Sequence, residues 1–175
     1  MLWTILIIVA VVIAAILIYA ATKPDVFRVQ RSAVIAAPAD KIFPHLNDYQ
    51  RWPAWSPYEK KDPAMKRTFS GPATGPGAIY AWDGDKNVGA GRIEITEVSP
   101  NARLAFDLIM LKPFQAHNKG EFTLEPQGGG TRVTWAMHGP APYFTKLMQV
   151  FCNMDRMVGG DFEKGLADLK AIAES

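Results

Sequence analysis

Residues 26–43, VFRVQRSAVIAAPADKIF, change from a strand pattern to a helix pattern within a few positions. Val26 to Ala36 is β-rich and partly alternating, which predicts a strand. The sequence APAD at residues 37–40 predicts the start of a short helix, because a proline in the first turn loses no intrahelical hydrogen bond. Pro44 lies inside this helix and predicts that it is short or irregular. A segment dense in aromatic residues and prolines follows at residues 48–57.

Short segments with an alternating pattern continue from residue 66 to about residue 139. Glycine-containing turns separate them, for example at residues 71–77 and 128–130. A period of two over several hairpins predicts an antiparallel, curved sheet. The predicted strands are Lys66–Ser70, Ala78–Asp83, Gly91–Ser99, Arg103–Lys112, Lys119–Glu125 and Thr131–His138.

The C-terminal part of the sequence changes to the period of a helix. Two helices are predicted, Tyr143 to about Met157 and Asp161 to Ala173, with a kink at Gly159-Gly160. Their apolar residues recur at spacings of three and four, so that each helix has one apolar face. Such a face needs a covering partner, and the sheet provides one. The chain is therefore predicted to have an α+β fold.

Five short motifs support a more specific interpretation: RSAVIAAPADKIF at residues 31–43, Asn47-Asp48, WPAWSP at 52–57, GGGTRVTW at 128–135 and GLADLK at 165–170. In these motifs and in the order of its elements, the chain resembles the SRPBCC superfamily of START-related and birch-pollen-allergen-like proteins. Within it, the polyketide cyclase/dehydrase and lipid-transport-like branch is the most similar. The resemblance covers about residues 27 to 174.

This resemblance implies a helix-grip fold. In that fold a curved antiparallel sheet wraps around a long C-terminal helix, and two short helices follow the first strand. Members of the superfamily share a cavity between the sheet and the long helix, where they bind lipids, sterols, quinones or aromatic polyketides. The resemblance therefore identifies the fold, while the substrate or ligand depends on the individual site.

The first 22 residues carry no charged side chain and are nearly all aliphatic. A helix of this length reaches about 33 Å, enough to cross the hydrocarbon core of a bilayer. We predict a transmembrane anchor at residues 1–22, followed by one helix-grip domain at residues 23–175. The alternative is a cleaved secretory signal, which usually has a positive n-region and an apolar core of about 7–15 residues. This segment has neither.

Three cations, Lys23, Arg28 and Arg31, follow the predicted anchor, and only the terminal amine precedes it. Cytoplasmic segments next to a membrane helix are usually rich in Lys and Arg. We therefore predict a single-pass protein of the cell membrane whose soluble domain is cytoplasmic.

Composition argues against several other classes of function. The 19 Lys+Arg residues nearly balance the 17 Asp+Glu residues, so no basic surface is indicated for nucleic acid. The single cysteine, Cys152, rules out an internal disulfide. His45, His117 and His138 lie in separate segments without ligand spacing, so we predict no metal site and no cofactor.

The predicted partner is a hydrophobic small molecule or lipid, held in a cavity between the sheet and the C-terminal helix. A cavity for such a ligand is lined by aromatic residues, leucines and methionines with few polar groups. The sequence supplies these residue types on the first short helices, on the strands and on the C-terminal helices. The predicted lining residues are Trp52, Trp55, Tyr58, Trp82, Phe106, Met110, Phe114, Trp135, Met137, Phe151 and Met154.

Two alternatives stay open at this point. A cyclase- or dehydratase-like enzyme on the same cavity would need an inward-facing acid or base with a shifted pKa. The candidates are Asp107, His117, His138, Tyr80 and Tyr143, although Asp107 alternates out of phase with the apolar side of its strand. A membrane-anchored interaction module would instead combine a filled core with an exposed apolar patch.

Overall fold

A computed structural model of the chain describes residues 1–151 and 153–175. Seven strands form one antiparallel sheet in the order β1-β7-β6-β5-β4-β3-β2. The predicted α+β helix-grip fold is confirmed. The strands are β1 (Val26–Ile35), β2 (Lys66–Ser70), β3 (Ile79–Asp83), β4 (Ala90–Ser99), β5 (Arg103–Lys112), β6 (Ala116–Gln127) and β7 (Gly130–Pro140), and the helices are α1 (Leu2–Ala21), α2 (Ala39–Asn47), α3 (Pro57–Lys61), α4 (Tyr143–Phe151) and α5 (Met154–Ala173), with a 3₁₀ helix at Tyr49–Ala54.

Directly paired residues of neighbouring strands point to the same face of the sheet. Phe122 of β6 pairs with Trp135 of β7 and with Leu104 of β5, and all three side chains are buried. The same alternation in β1 directs Val29 and Ile35 to this inner face. The inner face and α5 together enclose the hydrophobic core, as the period of two predicts.

α5 is attached to the first strand by Arg31, which points from β1 to the inner side. Its Nε donates to Glu163 at 2.6 Å, and its Nη1 donates to Asp155 at 3.0 Å. The guanidinium group lies against Gly159, where any larger residue would have to displace it. These bonds hold the pKa of the Asp155 carboxyl below its ordinary value and fix the first half of α5 on the edge of the sheet.

The predicted kink at Gly159-Gly160 is wrong, because α5 runs without interruption from Met154 to Ala173. The helical region is divided earlier, between Phe151 and Met154. The side chain of Asn153 caps the new helix by accepting a hydrogen bond from the backbone N–H of Arg156 at 2.9 Å. Cys152, which the sequence places in a continuous helix, lies outside the described residues.

The segment after β1 brings two indole rings into the core. α2 extends to Asn47 with Pro44 inside it, and the 3₁₀ helix follows. Trp52 Nε1 donates to the carbonyl of Leu46 at 3.1 Å, and Trp55 Nε1 donates to the carbonyl of His45 at 3.0 Å. Because both ring nitrogens have acceptors, these large side chains are buried without an unpaired donor.

α1 is long and apolar enough to cross a membrane, and nearly all of it is exposed. Its C-terminal end contacts α4: the hydroxyl of Tyr143 donates to the carbonyl of Leu17 at 2.9 Å, and Ala20 is fully buried. Lys146 of α4 donates to Asp25 at 2.6 Å, just before β1. α1 and α4 are therefore joined at the end of the sheet where β1 begins.

Candidate functional site

Six aromatic rings fill the space between the inner face of the sheet and α5. Trp135 stacks on Phe162 of α5, with ring centroids 4.0 Å apart and planes within 10°. Trp55 contacts Trp135 edge-on at 5.6 Å, and Trp52 contacts Phe106 in the same way at 6.3 Å. Phe122 lies between these pairs. The rings pack against one another as a continuous aromatic core.

The predicted lining residues divide into three groups in the structure. The first group is buried in or beside the aromatic core, the second is half-buried, and the third is exposed. The structure thus brings together the residues of the first group but separates them from Phe114 and Phe151. The groups are Trp52, Trp55, Phe106, Trp135 and Met137; then Tyr58, Trp82, Met110 and Met154; then Phe114 and Phe151.

A polar cluster borders the aromatic core at the other edge of the sheet. Tyr80 of β3 donates to the buried carboxylate of Glu59 at 2.5 Å, and Arg67 of β2 donates to its second oxygen at 2.6 Å. Burial and the bond to Glu59 both raise the pKa of Tyr80 well above its ordinary value. Tyr80 therefore stays protonated at neutral pH, and it serves as a donor to Glu59 rather than as a base.

The other acid–base candidates on the strands face away from the core. Asp107 pairs with Lys119 and Glu94, His117 with Ile109, and His138 with Arg28, all at register positions of the outer face. Asp107 and His117 contact each other there, at 3.2 Å between Oδ2 and Nε2. Their place on the outer face separates these groups from the space between the sheet and α5.

A surface cleft of about 470 Å³ lies between the start of β1, the end of α4 and the start of α5. Two of the predicted lining residues, Phe151 and Met154, belong to its wall. The cleft also borders the core, because its lining residue Val29 belongs to the buried core cluster. The full lining is Lys23, Pro24, Val26, Phe27, Arg28, Val29, Gln149, Val150, Phe151, Asn153, Met154 and Asp155.

The walls of this cleft are amphipathic. Its apolar lining comes mostly from β1 and α4, and its charged or polar lining residues are Lys23, Arg28, Gln149, Asn153 and Asp155. Among them, Gln149 carries a buried Nε2 that has no hydrogen-bond partner among the described residues. A buried donor without a partner costs free energy unless something pairs with it. The cleft therefore offers both apolar and charged side chains to a ligand, while the Gln149 donor is buried behind its wall.

A second cleft of about 230 Å³ lies at the opposite edge of the sheet, beside the loop that follows β2. Tyr49 lines it, and the Tyr49 hydroxyl is buried without a partner among the described residues. Burial raises the pKa of this tyrosine far above its ordinary value, so the hydroxyl stays neutral. This cleft is smaller and lies far along the sheet from α1.

Sequence reasoning did not identify the contribution of β1 and of Gln149 to the larger cleft. The alternation of β1 showed that Phe27 and Val29 share a face, and this was the available signal for them. Nothing in the sequence distinguished Gln149 from other polar residues on a helix. For metal binding, the part of the chain that the structure describes contains no group of three or more His, Cys, Asp or Glu side chains placed to hold an ion.

A family model described as polyketide cyclase/dehydrase and lipid transport matches residues 26–174. The chain belongs to this family. The match covers nearly the whole chain after α1 and confirms the resemblance to the SRPBCC superfamily. No curated protein matches the chain.

Solved structures similar to this member of the polyketide cyclase/dehydrase and lipid transport family share its fold at low sequence identity. Protein CV1439 from Chromobacterium violaceum is 14% identical with a TM-score of 0.61, over 87% of this chain and 99% of that one. The di-domain ARO/CYC StfQ from the steffimycin biosynthetic pathway is 15% identical with a TM-score of 0.64, over 85% of this chain and 51% of that one. Ara h 8.0201 is 12% identical with a TM-score of 0.58, over 85% and 97%.

Proposed function

We propose that this family member is a single-pass membrane protein whose domain binds a hydrophobic small molecule or lipid. The observation that carries the proposal is the position of the larger cleft, which lies at the start of β1, directly after α1, and has Phe27, Val29 and Met154 in its lining. With α1 as the anchor, the cleft lies beside the bilayer, where apolar ligands partition. Tethering then raises the ligand concentration that the site experiences.

The chemistry of the cleft favours an amphipathic ligand. Its apolar wall suits a hydrocarbon or ring system. Lys23 and Arg28 at the cleft suit an anionic group. In this proposal the ligand occupies the cleft, and the buried aromatic core, to which Val29 also belongs, supports the cleft from within.

The location of the domain is proposed from the charges that follow α1. Lys23, Arg28 and Arg31 favour a cytoplasmic position for the domain. The proposed ligand is therefore a molecule that reaches the domain from the cytoplasmic leaflet of the cell membrane.

Two other functions compete with simple binding. Membership of the polyketide cyclase/dehydrase and lipid transport family favours a cyclase- or dehydratase-like reaction of a ligand in the same cleft. The close ring packing of the core and the exposed apolar residues Phe114 and Phe151 favour an interaction module. The three functions differ in what is bound to the protein in its own membrane.

Native mass spectrometry of the full-length protein, purified in detergent from its own host, tests the proposal. The matched pair of variants is Val26→Trp, which enlarges a lining residue of the cleft, and Val34→Trp, which places the same side chain at the other exposed valine of β1. We expect a stoichiometric adduct on the wild type and on Val34→Trp, and its loss from Val26→Trp. Solvent extraction then identifies the ligand.

Each of the other outcomes contradicts a stated part of the proposal. An adduct that persists in Val26→Trp would show that the cleft is not the site. An extracted pair of compounds related by water loss or ring closure would show catalysis. A clean apo mass for all three proteins would leave the interaction module as the function.

A further inference from the structure

Exposed apolar side chains are concentrated at one end of the domain. After residue 21, ten large apolar side chains of the described residues are exposed, and seven of them lie at the end of β5, in the β5–β6 turn, in α4 or in the first turn of α5. The most exposed are Phe151 at 69%, Phe114 at 65% and Met157 at 63%. A monomeric soluble protein rarely leaves such a group in water without a binding partner.

These residues form one surface. The rings of Phe114 and Phe144 are 6.0 Å apart, which joins the β5–β6 turn to α4. Phe144, Met148 and Phe151 follow at spacings of four and three, and so they lie on one face of α4. We call this the apolar surface, and it consists of Phe114, Phe144, Met148 and Phe151.

The opposite side of α4 is bound to the rest of the protein. Lys146 is buried, and its ammonium group donates to Asp25. Thr145 and Gln149 are half-buried beside it. The exposed side of α4 therefore carries the apolar residues Phe144, Met148 and Phe151, while its polar residues Thr145, Lys146 and Gln149 face the protein, which is the reverse of an ordinary surface helix.

The apolar surface lies at the end of the sheet where α1 is attached. Val26, the first residue of β1, pairs with Pro140 at the end of β7, and the β5–β6 turn is at the same end of the sheet. Tyr143, at the start of α4, bonds to Leu17 of α1. Only four residues, 22–25, separate α1 from β1. The surface is therefore continuous with α1 in space.

We propose that the apolar surface docks onto the bilayer that α1 spans, so that α4 and the β5–β6 turn lie in its interfacial layer. This inference rests on the membrane anchoring in the proposed function. Short helices with one apolar face bind membranes by burying that face at the boundary between headgroups and acyl chains. Tyr143 has the amphipathic side chain that prefers this depth. The domain is then held at two places, by α1 and by the apolar surface.

Fluorescence quenching in lipid nanodiscs tests this proposal with the full-length protein. The substitution Cys152→Ser removes the single native cysteine. A new cysteine is then introduced in turn by Phe114→Cys, Phe144→Cys or Phe151→Cys, and an environment-sensitive dye is attached to it. Ile8→Cys in α1 reports whether the anchor is inserted, and Val34→Cys on β1 is the exposed control. The nanodiscs contain phosphatidylcholine with or without nitroxide-labelled acyl chains, and circular dichroism confirms that each labelled protein is folded.

We expect blue-shifted emission and a loss of about half or more of the intensity at positions 114, 144 and 151, with little change at Val34→Cys. Quenching at Ile8→Cys without quenching at these three positions would overturn the docking and leave the anchor in place. If quenching were absent at Ile8→Cys as well, both the docking of the apolar surface and the anchoring by α1 would be overturned. A blue shift that depends on protein density but not on the nitroxide would assign the surface to a second copy of the chain and overturn the proposal.

Discussion

The ring of Phe106 lies directly over Gly120, its partner on the neighbouring strand of the sheet. A side chain at Gly120 would occupy the volume of the Phe106 ring, so the close packing of the aromatic core depends on a residue without one. The ring is almost completely buried and contacts Trp52 and Phe122. It therefore has no free space into which it can move.

Gly120→Ala is expected to lower the free energy of unfolding by about 1–3 kcal/mol, because overpacking forces Phe106 off its rotamer. The matched control is Gly160→Ala, where the added methyl group contacts nothing. In the middle of α5 this change is expected to raise the free energy of unfolding by about 0.5–1 kcal/mol through helix propensity. Denaturant unfolding in detergent, followed by tryptophan fluorescence, measures both, and equal effects of the two changes would contradict the packing argument.

The ion pair of Asp25 and Lys146 should hold α4 in place, because the Lys146 side chain is only 10% exposed and loses its anionic partner in Asp25→Asn. We expect the amide protection of α4 to fall by about threefold or more in this variant, as local opening becomes easier. The control is Asp83→Asn, which removes the partner of the exposed Lys112 at the same end of the sheet. Hydrogen exchange by mass spectrometry measures both, and unchanged α4 protection in Asp25→Asn would contradict the prediction.

The same pair predicts a pH dependence. The hydrogen bond from Lys146 and its charge lower the pKa of the Asp25 carboxyl in the folded protein below its ordinary value of 3.8. A lowered folded-state pKa means that the stabilisation is present above pH 3.8 and is lost as the pH falls through the folded-state value. The protection factors of α4, which correct for the intrinsic exchange rate, should therefore not change with pH near neutrality. They should decrease only below pH 3.8. In Asp25→Asn this acid-dependent decrease should be absent.

The cluster of Glu59, Arg67 and Tyr80 predicts an order of effects. Arg67→Met leaves the buried carboxylate of Glu59 without its cation and is expected to lower the free energy of unfolding by about 2–4 kcal/mol. Tyr80→Phe removes one hydrogen bond while the cation remains, and about 1–2 kcal/mol is expected. Urea midpoints of the two variants measure the difference. A larger effect for Tyr80→Phe would show that the phenol, rather than the ion pair, stabilises Glu59.

The sheet was predictable because its side chains alternate at the scale of single strands. Arg103–Lys112 was placed at its observed limits, and Thr131–His138 extends by only a few residues at its ends. Each of these patterns depends on neighbouring residues in the sequence and on one common core. These strands could therefore be predicted without knowledge of long-range contacts.

The division of the C-terminal helices could not be read in the same way. Two adjacent glycines predict a kink from local propensity, but Gly159 is required by the guanidinium group of Arg31, a residue of the first strand. That contact stabilises the helix where propensity would weaken it. The actual start of α5 follows from the cap at Asn153, which the sequence analysis did not use.

The sequence predicted which residue types would line the candidate site, but not where these residues lie in the fold. Helical periodicity showed that Phe151 and Met154 have an apolar environment, but it did not give their distance from Trp55 or Trp135. The separation of core and cleft depends on where α4 ends and on how β1 approaches it. Gln149 lines the cleft, and its Nε2 has no hydrogen-bond partner among the described residues. Both facts depend on the folded structure and cannot be predicted from the sequence.

The four residues between α1 and β1 also limit the kind of transfer that an anchored domain can perform. Even fully extended, they span only about 14 Å, and the bonds of Tyr143 and Lys146 shorten the reach further. A carrier on a long linker shuttles its cargo across an aqueous gap between two membranes. This domain would instead exchange cargo by lateral diffusion within a single leaflet, and only a partner that arrives at that membrane surface would receive it.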